Sequence, residues 1–147
     1  MPIRNNLDQI RARIAAAALR VGRSPEEVRL VAVSKTHPAS LVEEAAAAGQ
    51  SLFGENYVQE FLAKAQEVAA PVEWHFIGAL QSNKVKYLAG KVALIHSVDR
   101  LSLAQEIDRQ WGKLGQSAAI LVEVNLGDEA SKAGTGEAQL LALVRQI

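Results

Sequence analysis

Ile3, Leu7, Ile10, Ile14, Leu19 and Val21 recur at steps near three and four, with Arg4, Asp8, Arg11 and Arg13 between them. That period predicts an amphipathic helix, and Gly22 is placed to end it. Ser24-Pro25-Glu26-Glu27 predicts a short turn with a capping serine and a proline at the first helical position. Arg29 to Ser34 has an unbroken apolar centre rather than an alternating one, which predicts a strand buried on both faces, as in parallel sheets. Pro38 ends that strand and starts a helix from Ala39 to Ala48, closed by Gly49.

The same alternation continues. Ser51 to Gly54 predicts a strand, Tyr57 to Val68 a helix, and Pro71 a break. Glu73 to Ile77 predicts a third strand, Ser82 to Leu88 a short helix, and Val92 to Ile95 a fourth strand. A helix from Arg100 to Leu114 ends at Gly115, and Ala118 to Val124 is the fifth and longest predicted strand. A loop from Asn125 to Gly134 leads to an amphipathic helix from Gly136 to Ile147. Successive strand ends at Ser34, Gly54, Ile77, Ile95 and Val124 are 20, 23, 18 and 29 residues apart. Each interval holds a helix and two turns, so five βα units in series predict a parallel α/β sheet.

An open doubly wound sheet and a (β/α)8 TIM-type barrel both satisfy that order. A barrel needs eight units and typically ~250 residues. The final helical pattern runs to Ile147 without a cap or a polar tail. The expectation is therefore a barrel truncated to about its first five units, with residues 1–147 as the N-terminal part of one domain.

Composition narrows the function. Sixteen basic and sixteen acidic side chains cancel, which argues against a general nucleic-acid binder. The absence of cysteine removes disulfides, thiol catalysis and cysteine-ligated metals. No apolar run approaches the ~20 residues that span a bilayer, and the N-terminus has no signal-peptide pattern. A cytoplasmic protein is expected.

Chemistry in parallel α/β proteins collects where strands end at their carboxyl sides. The polar residues there are Ser34 to His37, Glu55 to Tyr57, Gln81 to Lys84, His96 to Asp99, and Asn125 with Asp128 to Lys132. Lys35 follows directly on an apolar strand, where partial desolvation favours a neutral, nucleophilic amine; a solvated lysine, or one paired with Glu55, is the plainer reading. His75 and His96 lack metal-ligand spacing and read as packing residues, so no metal site is expected. Gly78 to Lys84 reads as an N-cap by Ser82 or as an anion-binding helix start. Glu55 and Asp99 could form an acid/base pair, and Trp74, Phe76 and Trp111 read as core. No GxGxxG, GxxxxGK[ST] or GxSxG occurs.

Val31 to Thr36, Phe53 to Glu60, Trp74 to Gly78, Leu80 to Lys84, His96 to Asp99 and Val124 to Gly134 resemble, in order, the blocks of the pyridoxal phosphate homeostasis proteins. That family is similar to the N-terminal barrel of alanine racemase. The resemblance implies a barrel that binds pyridoxal 5′-phosphate (PLP) as a reversible Schiff base on Lys35. Asn56 and His75 are then implied beside the cofactor ring, and Lys132 is a candidate second amine. It implies PLP homeostasis without catalysis, with a PLP-dependent racemase or decarboxylase as the alternative. It also implies PLP-dependent apo-enzymes as partners and a monomer at full length. His37 and Ala79 depart from the residues common in the family, lysine and proline. Strands six to eight, with the phosphate-binding loops, are expected outside this chain.

Overall fold

The structure, a computed structural model, describes residues 2–127 and 129–147. The first helix, α1, spans Ile3–Arg20, and Gly22 follows at φ +72°, the left-handed turn expected of it. A single 3-10 turn at Pro25–Glu27 comes next, with the Ser24 hydroxyl accepting from the Glu26 N–H. Five parallel strands then alternate with four helices: β1 Ala32–Val33, α2 Ala39–Ala47, β2 Leu52–Glu55, α3 Val58–Glu67, β3 Glu73–Phe76, α4 Val85–Leu88, β4 Leu94–Val98, α5 Leu101–Gly112 and β5 Ile120–Val122. A two-residue parallel pair, β6 Val124–Asn125 with β7 Thr135–Gly136, leads into α6 Glu137–Gln146.

The main sheet has the order β1-β2-β3-β4-β5, every neighbour parallel. A doubly wound sheet reverses its strand order at a switch point. These five strands contain no reversal, so the open alternative is set aside and the succession is that of a barrel wall.

One face of the sheet carries the core. Phe53, Trp74, Phe76, Ile95 and Val98 meet Val42, Phe61, Val85, Leu88, Leu103, Ile107 and Trp111 of the helices. Trp74 is the hinge of this packing, 5.7 Å from Phe61 in an edge-on contact and 5.8 Å from Phe53. Helix α1 closes the end beside α2: Arg4 and Arg11 donate to the carbonyls of Ala47 and Ala48, which the end of α2 leaves without helical partners.

The other face is open. Val33 is 50% exposed and Leu121 48% exposed. The expectation that β1 is buried on both sides is therefore corrected: its unbroken apolar run meets helices on one side only. The fifth strand is corrected too. It is three residues long rather than the longest, because the chain leaves the sheet at Glu123 to pair β6 with β7. The longest is β4, which carries an irregularity: Ile95 pairs with Ile120 and Val98 with Val122, so β4 uses three steps where β5 uses two. The extra residue is a bulge that turns both Ser97 and Val98 into buried positions. Among the described residues no helix is long and apolar enough to cross a membrane.

Candidate functional site at the carboxyl ends of the strands

Lys35 lies two residues past the end of β1 and is exposed. Its neighbours on both sides are clamped from behind by α3. The Ser34 hydroxyl donates to Glu55 Oε1 at 2.6 Å, and Lys64 Nζ donates to the Ser34 carbonyl at 2.5 Å. Lys64 also meets Glu55 Oε1 at 2.7 Å and Glu60 Oε1 at 2.6 Å. Glu60 Oε1 in turn accepts from the Thr36 N–H at 2.5 Å. The Lys64 ammonium, with help from Thr36, holds the Glu60 carboxyl below the usual carboxylate range. Thr36 sits at φ +64°, a left-handed conformation unusual for a β-branched residue. Such backbone persists only where its surroundings over-determine it, and here the Glu60 bond and the His37 N–H donating to the Ser34 carbonyl at 3.1 Å, which closes the turn around Thr36, do so.

This network was not legible as such. Glu55 is fully buried and faces the helices, so its partners are Ser34 and Lys64 rather than Lys35. The pairing of Lys35 with Glu55 is thereby overturned. The Glu55–Asp99 acid/base pair is overturned as well, since Asp99 accepts from Arg100 at 2.8 Å and from the Gly134 N–H at 3.2 Å. Lys64 itself carried a signal that sequence reading passed over: it is a lysine on the Val58, Phe61, Lys64 stripe that α3 buries.

Asn56 follows the last residue of β2, and its Oδ1 is buried without a partner. Its position depends on Gly78, where a Cβ would lie 2.2 Å from the Asn56 carbonyl oxygen. Only glycine lets the two strand ends approach so closely.

His75 is nearly fully buried in the centre of β3. Its Nε2 lies 3.0 Å from Glu73 Oε1, and its Nδ1 lies 2.9 Å from His96 Nε2. Arg29 donates to the other Glu73 oxygen at 2.8 Å and, with His75, holds that carboxyl below its usual range. An ionised carboxylate only accepts, so His75 carries its proton on Nε2. His75 Nδ1 then accepts from His96 Nε2–H. Burial, reinforced by His75, pushes the His96 pKa down, which keeps that imidazole neutral as the donor. Among the described residues no group of three or more His, Asp or Glu side chains is arranged to hold a metal.

The remaining candidates are dispersed. His37 is exposed in its turn, as expected. Lys132 is exposed and pairs with Glu129 at 3.0 Å. Asp128 lies outside the described residues. Gln81 rather than Ser82 occupies the cap position before a 3-10 turn at Ser82–Lys84 that runs into α4, with no side-chain cap bond. Lys35 is not desolvated by the residues of this chain; what the fold supplies is a fixed backbone on either side of it.

Successive parallel βα units with their polar residues gathered at the carboxyl ends of the strands define a barrel-wall α/β protein. Residues 5–147 match the family described as alanine racemase, N-terminal domain, and the chain belongs to that family. It is 48% identical over 149 residues to the pyridoxal phosphate homeostasis protein of Escherichia coli strain K12, covering 99% of this chain and 64% of that relative. The protein of the same name from Pseudomonas aeruginosa is 45% identical over 146 residues, with the same coverage. Among solved structures, PipY of Synechococcus elongatus PCC7942 with PLP bound has 42% identity and a TM-score of 0.74, covering 90% of this chain and 63% of that one. A protein from Bifidobacterium adolescentis, solved as an unknown protein, has 34% identity and a TM-score of 0.89. The family resemblance read from the sequence is borne out, and the chain spans 64% of the length of these curated relatives.

Proposed function

We propose that this chain is the N-terminal part of a PLP-binding barrel domain, that it takes part in intracellular PLP homeostasis, and that Lys35 is its covalent anchor. The observation that carries the reading is the likeness to PLP-bound PipY, at 42% identity over 90% of the chain. Bound PLP supplies an aldehyde that condenses reversibly with a primary amine, releasing water.

The residues present fit that group. Lys35 presents an exposed amine at a strand end, held in place through Ser34 and Thr36. Asn56 offers a buried, unsatisfied acceptor at the next strand end. His75, fixed in one tautomer by Glu73, stands on the third strand. The open sheet face bearing Val33 and Leu121 supports closure by further strands in a longer chain.

The test is borohydride reduction of the PLP-treated protein followed by peptide mass mapping. A pyridoxyl mass on residue 35, absent in Lys35→Ala, is expected. Label spread evenly over surface lysines would refute the assignment. The racemase alternative draws on the family description itself. It predicts α-deuterium incorporation into L-alanine in D2O above the rate given by free PLP, whereas a homeostasis role predicts none.

A further inference from the structure

The sheet register puts His96 level with Lys35. Val33 pairs with Gly54, Gly54 with His75, and His75 with Leu94. Residues two apart on a strand share a face, so the next row on that face is Lys35, Asn56, Ile77 and His96. The Ser34 N–H donates to the Gly54 carbonyl at 3.1 Å and the Ile77 N–H to the Glu55 carbonyl at 2.8 Å, which carries the pairing up to that row. The rings of His75 and His96 lie 5.0 Å apart, so His96 stays on the side of His75 despite the bulge between Ile95 and Val98. That side is the open face, since Phe76 and Ile95 point into the core.

The histidine row leaves one nitrogen over. His75 uses Nε2 on Glu73 and Nδ1 on His96, and therefore has no ring nitrogen free for a ligand. His96 gives its Nε2–H to His75. A neutral imidazole carries a single N–H, so His96 Nδ1 is a bare lone pair. Among the described residues it has no partner. It is also not sealed from solvent: the unpartnered side-chain atoms that are sealed are Glu55 Oε2, Asn56 Oδ1 and Ser97 Oγ, and His96 is half-buried. Burial lowers its pKa and keeps it an acceptor at neutral pH. Such an atom is matched by an O–H or N–H and is mismatched by the oxygens of a phosphate or carboxylate, which only accept.

We propose that His96 orients PLP: its Nδ1 accepts a hydrogen bond from a donor on the pyridine ring, the hydroxyl or the ring N–H, and the phosphate is thereby turned away from β4. Glu73 and His75 are positioning residues, because they act only by fixing where His96 carries its proton. The proposal rests on the PLP-binding reading above and adds to it the residue that sets the ring's direction. Lys35 and His96 are separated by three strand spacings, roughly 14 Å. A lysine side chain extended by a pyridine ring bridges that span.

The probe is 4-deoxypyridoxine 5′-phosphate, in which a methyl replaces the aldehyde of PLP, so it cannot join a lysine. Long-range 1H–15N NMR follows the ring nitrogens of both histidines as it is added. A saturable upfield shift of His96 Nδ1 is expected, with the His75 proton still on Nε2, in the unmodified chain and in Lys35→Ala alike. His96→Phe should weaken binding of the probe roughly fivefold, the worth of one hydrogen bond, and His96→Gln, whose amide oxygen accepts, should keep most of it. Glu73→Gln should split the His96 Nδ1 signal between bare and protonated forms and weaken binding by a smaller factor. Probes methylated on the phenolic oxygen or on the ring nitrogen each lack one donor, and the one that loses the shift identifies the donor used. The full shift with both methylated probes would overturn the proposal. So would no shift with the parent probe, a proton on His96 Nδ1 in the unmodified chain, or equal affinity in folded His96→Phe. Absence of pyridoxyl label on residue 35 with the His96 shift intact would refute the anchor alone, so the two readings fail separately.

Discussion

Lys64 Nζ donates to the backbone carbonyl of Ser34 at 2.5 Å, so a buried ammonium on α3 fixes the peptide that leads into Lys35. The same nitrogen neutralises Glu55, which has no solvent contact. Fold stability and the placement of the exposed amine are therefore coupled through one side chain.

Lys64→Met should destabilise the chain by about 3–5 kcal/mol, because it leaves Glu55 as a buried, uncompensated charge. Adding Glu55→Gln should recover most of that loss. Denaturant unfolding of the unmodified chain and the two variants measures both effects, and a loss under about 1 kcal/mol in Lys64→Met would contradict the network.

The histidine pair gives an acid-sensitive stability. His96 has a folded pKa below its ordinary 6.5, because burial and then His75 disfavour its charge. The unfolded chain thus binds more protons in the window just below 6.5, and stability rises with pH through it and falls on acidification. A second loss should follow below 4.5, where Glu73 and Glu60, both lowered in the fold, take up protons. Urea unfolding across this range should show both steps, and His96→Gln should remove only the first.

Glu73 orients His75. Long-range 1H–15N NMR should find the His75 proton on Nε2 in the unmodified chain at neutral pH. In Glu73→Gln the amide can donate as well as accept, so a mixture of His75 tautomers is expected. An Nδ1–H tautomer in the unmodified chain would reverse the proton assignment along the Glu73–His75–His96 row.

Gly78→Ala should cost about 1–3 kcal/mol, since its methyl would lie 2.2 Å from the Asn56 carbonyl oxygen and push the ends of β2 and β3 apart. Gly112→Ala is the control. Nothing lies within 4 Å of a Cβ there and the residue is helical, so a gain of up to about 1 kcal/mol is expected. Thermal unfolding distinguishes the two signs.

Much of the architecture was legible because it rests on local signals. The glycines after α1, α2 and α5 (Gly22, Gly49 and Gly115) all adopt positive φ, and the strand spacing gave the parallel order. The extents of β1 and β5 were not legible. An apolar run such as Leu30 to Val33 looks the same whether one face or both are covered, and what covers the second face is not local information. The candidate residues were found where they stand, at the strand ends, while their partners were not. Lys64, Glu60 and Ser97 depend on which helix faces which strand and on a one-residue bulge, and neither leaves a periodic trace in the chain.

Strands β1 and β5 each have a single neighbour in the sheet. The outward N–H and C=O groups of both form a template that a further strand can extend. Balanced charge does nothing to shield such a border. For residues 1–147 taken alone, a lysine or proline introduced along either border should alter self-association more than a change elsewhere on their surface.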